Sequence, residues 1–211
     1  MIATGAAPVS LVTVRQAAQG DRDALTGMFG RCTAQTRYRR FHGAVTMFPR
    51  RYLAEALSRS PVHHALVASA VNTADAIVAL ASCRLVDEGM AEVGVLVEDA
   101  WQRHGVGSAL LDELVVHARA LGLRALTAQL LTEQAWTAGL LSRYGTIQRS
   151  RESRGVVVVT VRLAPGETPG ETSGETSGEA PAPTPSDEPD EVPGDPAQLS
   201  CRPAATRYAS A

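Results

Sequence analysis

Apolar and polar residues alternate with period two along LVTVRQA (11–17), which predicts a strand. A helix follows, capped at Asp21 and running to about Arg31, and a second helical stretch covers 34–41. Pro49 interrupts, and RRYLAEALS (50–58) has the spacing of another short helix. HHALVASAV (63–71), AIVALASCRLV (76–86) and AEVGVLV (91–97) are apolar runs, the first two joined by the turn signal NTAD, and together they predict a three-strand meander. From 106 to 121 the pattern changes period. Leu110, Leu111, Leu114, Val115 and Ala118 recur at steps of three and four, which predicts a long amphipathic helix stopped by Gly122. LRALTAQLL (123–131) is strand-like, TEQAWTAGLLSRYG (132–145) reads as a helix between an N-cap at Thr132 and a stop at Gly145, and VVVVTVRL (156–163) is a closing strand. The order predicts an α+β fold: a mixed, mainly antiparallel sheet flanked by helices. One parallel pair is expected where the long helix crosses from 91–97 to 123–131.

After Leu163 the periodicity stops. GETP, GETS, GETS and GEAP follow one another from Gly166 and lead into a run of Pro, Gly, Ser, Thr and acids. Such a segment cannot bury enough apolar surface to offset the entropy of ordering, so 164–211 is expected to be a disordered acidic tail. The first ten residues carry no pattern and are expected to be flexible, which leaves 11–163 as one domain. Charge sharpens that division. The tail holds nine acidic residues against two arginines, whereas the body holds 18 arginines against 13 acids. All 20 basic residues are arginine, a composition that follows from a GC-rich genome. The three cysteines, Cys32, Cys83 and Cys201, are widely spaced without a CxxC, which matches neither a disulfide framework nor a zinc site, and no metal is expected. There is no apolar run of membrane-spanning length, and MIATGAAPVS lacks the marks of a signal peptide. A cytoplasmic, reducing compartment is the simplest inference. Without aromatic residues interleaved among the arginines, no nucleic-acid surface is expected.

The chemistry concentrates at Gln102-Arg103-His104-Gly105-Val106-Gly107-Ser108, between an apolar strand and the long helix. Glycines at a helix start bare the backbone N–H groups, and these together with the helix dipole favour an anion. Arg103 and His104 add positive or polar reach. Position 110 is Leu, so the dinucleotide fingerprint fails, and a chain without lysine cannot hold a Walker loop. What remains resembles the pyrophosphate loop of the GCN5-related N-acetyltransferases, Gln/Arg-x-x-Gly-x-Gly/Ala. The resemblance covers about 11–163. It implies a V-splayed sheet with acetyl-CoA beside the strand before the loop. Backbone groups of Leu96 and Val97 would bond the pantetheine, and the N–H groups from Arg103 to Ser108 would hold the pyrophosphate. CTAQTRYRRFHG (32–43) is similar to a segment of the subgroup that includes bacterial protein-lysine acetyltransferases. This puts Tyr38 and Phe41 on the acceptor side of the cleft, with plain core packing as the alternative.

Amide formation from a thioester needs a base for the amine proton, donors for the developing oxyanion and an exit for the thiolate. Glu92 is the candidate base, because it lies among apolar residues on the strand 91–97 and the resemblance implies a glutamate there. Alternation places Glu92, Gly94 and Leu96 on one face of that strand. The family's general acid is a tyrosine four residues before the glycine ending the last helix; here that position is Leu141, and Tyr144 is expected in the core. The family's cofactor-binding asparagine is matched by Gln134 at best. His63 and His64 are expected to be a surface or satisfied pair, Cys83 to be buried, and Arg149, Arg151 and Arg154 to flank a hairpin. The expected activity is therefore acetyl transfer from acetyl-CoA to an amine, with a protein lysine and a small-molecule amine both open. The alternative is a non-catalytic acyl-CoA-binding regulatory module, and the resemblance leaves a homodimer open.

Overall fold

A computed structural model describes residues 12–71, 76–151 and 155–164. The flexible N-terminus, the NTAD turn, Arg154 and the acidic tail expected from the sequence lie outside these residues. Seven strands form one sheet: β1 (Val12–Gln16), β2 (His63–Ala70), β3 (Ile77–Asp87), β4 (Met90–Val97), β5 (Ala125–Leu131), β6 (Gly145–Arg151) and β7 (Val156–Leu163). Their order across the sheet is β1-β2-β3-β4-β5-β7-β6. Every neighbouring pair is antiparallel except β4 and β5, as a crossover through a helix requires. The described residues also form five α-helices: α1 (Arg22–Arg31), α2 (Ala34–Phe41), α3 (Arg50–Leu57), α4 (Val106–Ala120) and the one-turn α5 (Ala138–Leu141).

The parallel pair positions everything that follows. It spans only Met90↔Ala125, Ala91↔Leu126 and Glu92↔Thr127. Beyond Glu92, β4 stays with β3 as far as Val97, while β5 stays with β7. The two halves of the sheet therefore part immediately after Glu92, and the second half of β4 has no strand partner on its β5 side among the described residues.

Alternation assigns the two faces of β4. Ala91 and Val93 pack in the core under α4, which contributes Leu110, Leu114, Val115 and Ala118 from the face its periodicity foretold. On the opposite face α1 and α3 bury Leu25, Met28, Leu53 and Leu57. Phe29, Phe41, Phe48 and Tyr52 join there in a chain of stacked and edge-on rings with centroids 4.8–6.1 Å apart.

Three local expectations are corrected. Asp21 makes no side-chain cap on α1; its carboxylate turns back to accept from Ala18 N–H (2.8 Å) and from Arg15 (2.6 and 2.8 Å), since the oppositely charged neighbour outcompetes a helix amide. Residues 132–144 are mostly tight 3₁₀ turns around α5 rather than one helix, and the Thr132 hydroxyl donates to Gly155 O at 2.9 Å instead of capping. Gly145 does not stop a helix with a left-handed turn. It opens β6 with an extended φ of 160°, and a side chain there would strike the Arg162 carbonyl of β7.

Candidate active site

The loop between β4 and α4 is built from side chains turned inward. Gln102 Nε2 donates to Val97 O (3.0 Å) and Thr36 Oγ1 (3.1 Å). Asp99 accepts from Thr33 N–H, Thr33 Oγ1 and Thr36 Oγ1, each at 2.8 Å. Burial pulls the Asp99 carboxyl upward, but the bonds from Thr33 and Thr36 leave it below the usual carboxylate range. Thr33 in turn caps α2 by accepting from Thr36 N–H at 3.2 Å. Thus Gln102, expected among the cofactor contacts, spends its side chain on tying the loop to α2.

Arg103 and His104 are exposed, with φ of 61° at Arg103. Gly105 is the N-cap of α4 at φ 81°, a left-handed conformation that glycine adopts without strain. Gly107, by contrast, lies inside the helix. An added Cβ there would lie 3.7–3.9 Å from the methyl carbons of Val97 and Val95, ordinary van der Waals contact. The first intrahelical bond runs from Ala109 N–H to Gly105 O at 3.0 Å. The N–H groups of Val106, Gly107 and Ser108 precede it at the helix N-terminus and have no intrahelical acceptor. That is the chemistry of an anion cradle, and Arg103 adds charge beside it.

Strand alternation divides the backbone groups at the end of β4 between two sides. Glu98 N–H donates to Val78 O at 2.9 Å, so the even-numbered residues of this stretch turn their backbone groups toward β3. Leu96 is therefore committed to β3, and the backbone groups of Val95 and Val97 turn to the opposite side, where Val97 O already accepts from Gln102 Nε2. Gln134 sits half-buried in the 3₁₀ turn just beyond β5.

Glu92 stands where the sheet divides. Its carboxylate accepts from Arg84 Nη2 at 2.9 Å on one oxygen and from Gln129 Nε2 at 3.2 Å on the other, so strands on both sides fix its orientation. Gly94 follows on the same face, and the guanidinium of Arg40 from α2 occupies the place where a side chain at Gly94 would be. Arg40 Nη2 donates to Tyr52 Oη (2.9 Å), which is itself hydrogen-bonded to Ser82 Oγ (2.9 Å). Phe41 is half-buried in the ring chain, with Arg40 5.0 Å from its centroid, whereas Tyr38 is 47% exposed.

Of the histidine pair, His63 is neither at the surface nor satisfied, whereas His64 is half-buried with Gln16 Nε2 3.4 Å from its Nδ1. His63 is 3% exposed, with Glu55 3.9 Å from Nδ1 and no hydrogen-bond partner on either ring nitrogen among the described residues. Burial holds its pKa below the ordinary histidine value. His64 lies on the other face and stacks on His117, ring centroids 3.5 Å apart. Cys83 is buried, and burial pushes its thiol up to about 11. At the far end of the cleft Leu141 is buried, and the Tyr144 hydroxyl donates to Asp112 Oδ1 at 2.7 Å in an apolar setting that raises its pKa.

A family model described as the acetyltransferase (GNAT) family matches residues 33–145, which take in α2, the splayed strand, the loop and α4. The chain belongs to that family. Acetyl-CoA is the co-substrate of GNAT acetyltransferases, and the bare N–H groups at the start of α4 suit its pyrophosphate. Acetyltransferase Pat of Mycolicibacterium smegmatis is 36% identical over 93 residues, 42% of this chain and 28% of that protein. This GNAT chain thus spans well under two thirds of that relative's length. The GNAT domain of S. lividans PAT shares 23% identity with a TM-score of 0.63, covering 72% of this chain and 90% of that one. The structure of yncA from Salmonella typhimurium, solved with its cofactor acetyl-CoA, shares 21% identity with a TM-score of 0.57 over 76% of this chain and 97% of that one. At these identities the structural likeness is one of fold. Among the described residues no helix is long and apolar enough to cross a membrane.

Proposed function

We propose that this GNAT domain transfers the acetyl group of acetyl-CoA to an amine by direct attack, with Glu92 as general base. The observation that carries the reading is the Glu92 carboxylate, fixed by Arg84 and Gln129 at the point where β4 and β5 part. Acetyl-CoA would lie along the splay, its pyrophosphate on the N–H groups of Val106, Gly107 and Ser108 beside Arg103. The backbone of Val95 and Val97 would meet the pantetheine, and Gln134 would line the far wall. Glu92 removes a proton as the amine nitrogen bonds to the thioester carbon. The carbon–sulfur bond then breaks, and CoA leaves as the thiolate. Neither Leu141 nor Tyr144 serves that step as an acid, since one is a hydrocarbon and the other is buried on Asp112. A thiolate leaves without such help.

That same departure favours one other reading, a module that binds acetyl-CoA without turnover. Glu92→Gln separates the two. The enzyme is expected to lose a factor of about 10²–10⁴ in kcat while its affinity for acetyl-CoA, measured by calorimetry, stays within twofold. An unchanged kcat would remove Glu92 from the mechanism, and a wild type that binds acetyl-CoA but releases no thiol with any amine would favour the module.

A further inference from the structure

Arg40, on α2 above Gly94, has no counter-charge within salt-bridge distance among the described residues. Arg84 is paired with Glu92 at 2.9 Å and Arg39 lies 3.7 Å from Glu133, but no carboxylate lies within 4.0 Å of Arg40 among the described residues. Of its five N–H groups, Tyr52 Oη takes one. Nε is buried with no hydrogen-bond partner among the described residues. Phe41 and Tyr52 shelve the guanidinium at 5.0 and 4.9 Å, which fixes its plane and offsets part of the cost of burying it. Gly94 supplies the room, since any side chain there would displace the guanidinium. Buried polar atoms in folded proteins find partners. Here the unpartnered Arg40 Nε, His42 Nε2 and both ring nitrogens of His63 belong to residues that share one electrostatic neighbourhood, since His42 and His63 each feel both Arg40 and Glu92.

We infer that Arg40 is a carboxylate-binding residue of the acceptor site, and that the acceptor is a small amino acid-like molecule carrying its amine and its carboxylate within a few bonds of each other. The spacing sets that size. Glu92 and Gly94 are two residues apart on one strand face, about 6.6 Å between Cα atoms. An amine at the Glu92 carboxylate and a carboxylate at the guanidinium over Gly94 therefore belong to a compact molecule. In a lysine within a protein chain the backbone carbonyl, six bonds from the side-chain nitrogen, is part of an amide and offers the guanidinium no carboxylate. A planar guanidinium with most of its N–H groups unclaimed matches a carboxylate in a bidentate fork, and that contact would also aim the amine at Glu92. The inference rests on the proposed acetyl transfer for its kinetic test and on binding alone for its second.

The experiment uses the full chain with acetyl-CoA and follows thiol release. The panel is the proteinogenic amino acids, their primary amides, their decarboxylated amines and a lysine-containing peptide. At least one free amino acid is expected to exceed its amide and its decarboxylated amine tenfold or more in kcat/KM. Arg40→Gln should raise KM for that acid at least tenfold with kcat within threefold and leave its amide unchanged, and Arg40→Lys should recover part of the loss. Equal use of acid and amide, preference for the peptide, or an Arg40→Gln variant that loses both substrates alike would overturn the inference. Melting temperature and acetyl-CoA affinity of each variant show whether it is folded. If no amine is acetylated, calorimetric titration of the same amino acids into the CoA-saturated chain still decides. Binding that Arg40→Gln abolishes supports the carboxylate site while the activity reading fails, and no binding overturns both.

Discussion

Gly94 shows how much one absent methyl group decides in this molecule. It is not a turn residue, and its place in the middle of β4 costs the strand some stability relative to a larger residue. What it provides is room on the acceptor face for the Arg40 guanidinium. Gly94→Ala is therefore expected to move Arg40, the flexible partner, rather than the strand. Melting temperature should change by no more than a few degrees, acetyl-CoA affinity should hold, and KM for the acceptor should rise several-fold; a KM that does not move would show that Arg40 has another place to stand. At this scale the sequence was only partly legible. Glu92 could be singled out because a charged residue inside an apolar, alternating strand is conspicuous. Arg40 could not, because its neighbours Arg37 and Arg39 look the same in the sequence, and only the crossing of α2 over β4 separates it from them. His63 was misread because alternation gives a strand two faces but does not say which of them a second layer of helices will cover.

At the scale of elements, α2 and the pyrophosphate loop behave as one piece. Asp99 joins the Thr33 cap of α2 to the loop, and Gln102 reaches back from the loop to Thr36 and Val97. Asp99→Ala leaves three donors without their acceptor and is expected to cost about 1–2 kcal/mol of stability. It is also expected to weaken acetyl-CoA binding several-fold, although the side chain points away from the bare N–H groups of α4. Chemical denaturation and calorimetry test the two parts separately, and a stability loss with unchanged affinity would show that the loop holds its shape without α2. Elements whose own periodicity matches their surroundings were legible in advance, and β4 and α4 are the clearest. The stretch 132–144 was not. Its Thr and Gly boundaries mimic helix signals, but Ala164 N–H bonds Tyr144 O at 3.0 Å and Gly145 pairs with Leu163, so strand pairing takes over the segment's end.

For the molecule as a whole, its histidines make stability depend on pH in a definite direction. Burial, with His117 and His63 close by, pushes His64 down to about 4, and His42 and His63 are lowered too, chiefly by burial. In the unfolded chain these groups take up protons near the ordinary value of about 6.5. As pH falls from there toward 4 the unfolded state binds protons that the folded state refuses, so stability decreases across that window and levels off below it. Urea midpoints at pH 7.5, 6 and 5 are expected to fall in that order, and to fall less steeply for His64→Gln. A flat profile between pH 7.5 and 5 would mean that these rings are protonated without strain in the fold. The architecture itself was legible from the order of strands and helices, including the one parallel crossover. The width of that contact was not, because pairing length depends on where two strands diverge in space.

That short contact has a consequence for handling the protein. After Glu92, the β5 side of β4 presents a row of backbone groups that faces no strand among the described residues, the kind of edge that folded β-proteins normally hide because any extended chain can dock there. In the complex proposed here acetyl-CoA covers that row. A concentrated stock of the free protein is thus open to self-association through β4, and one saturated with CoA is protected. Ligand occupancy would then govern shelf life as well as turnover.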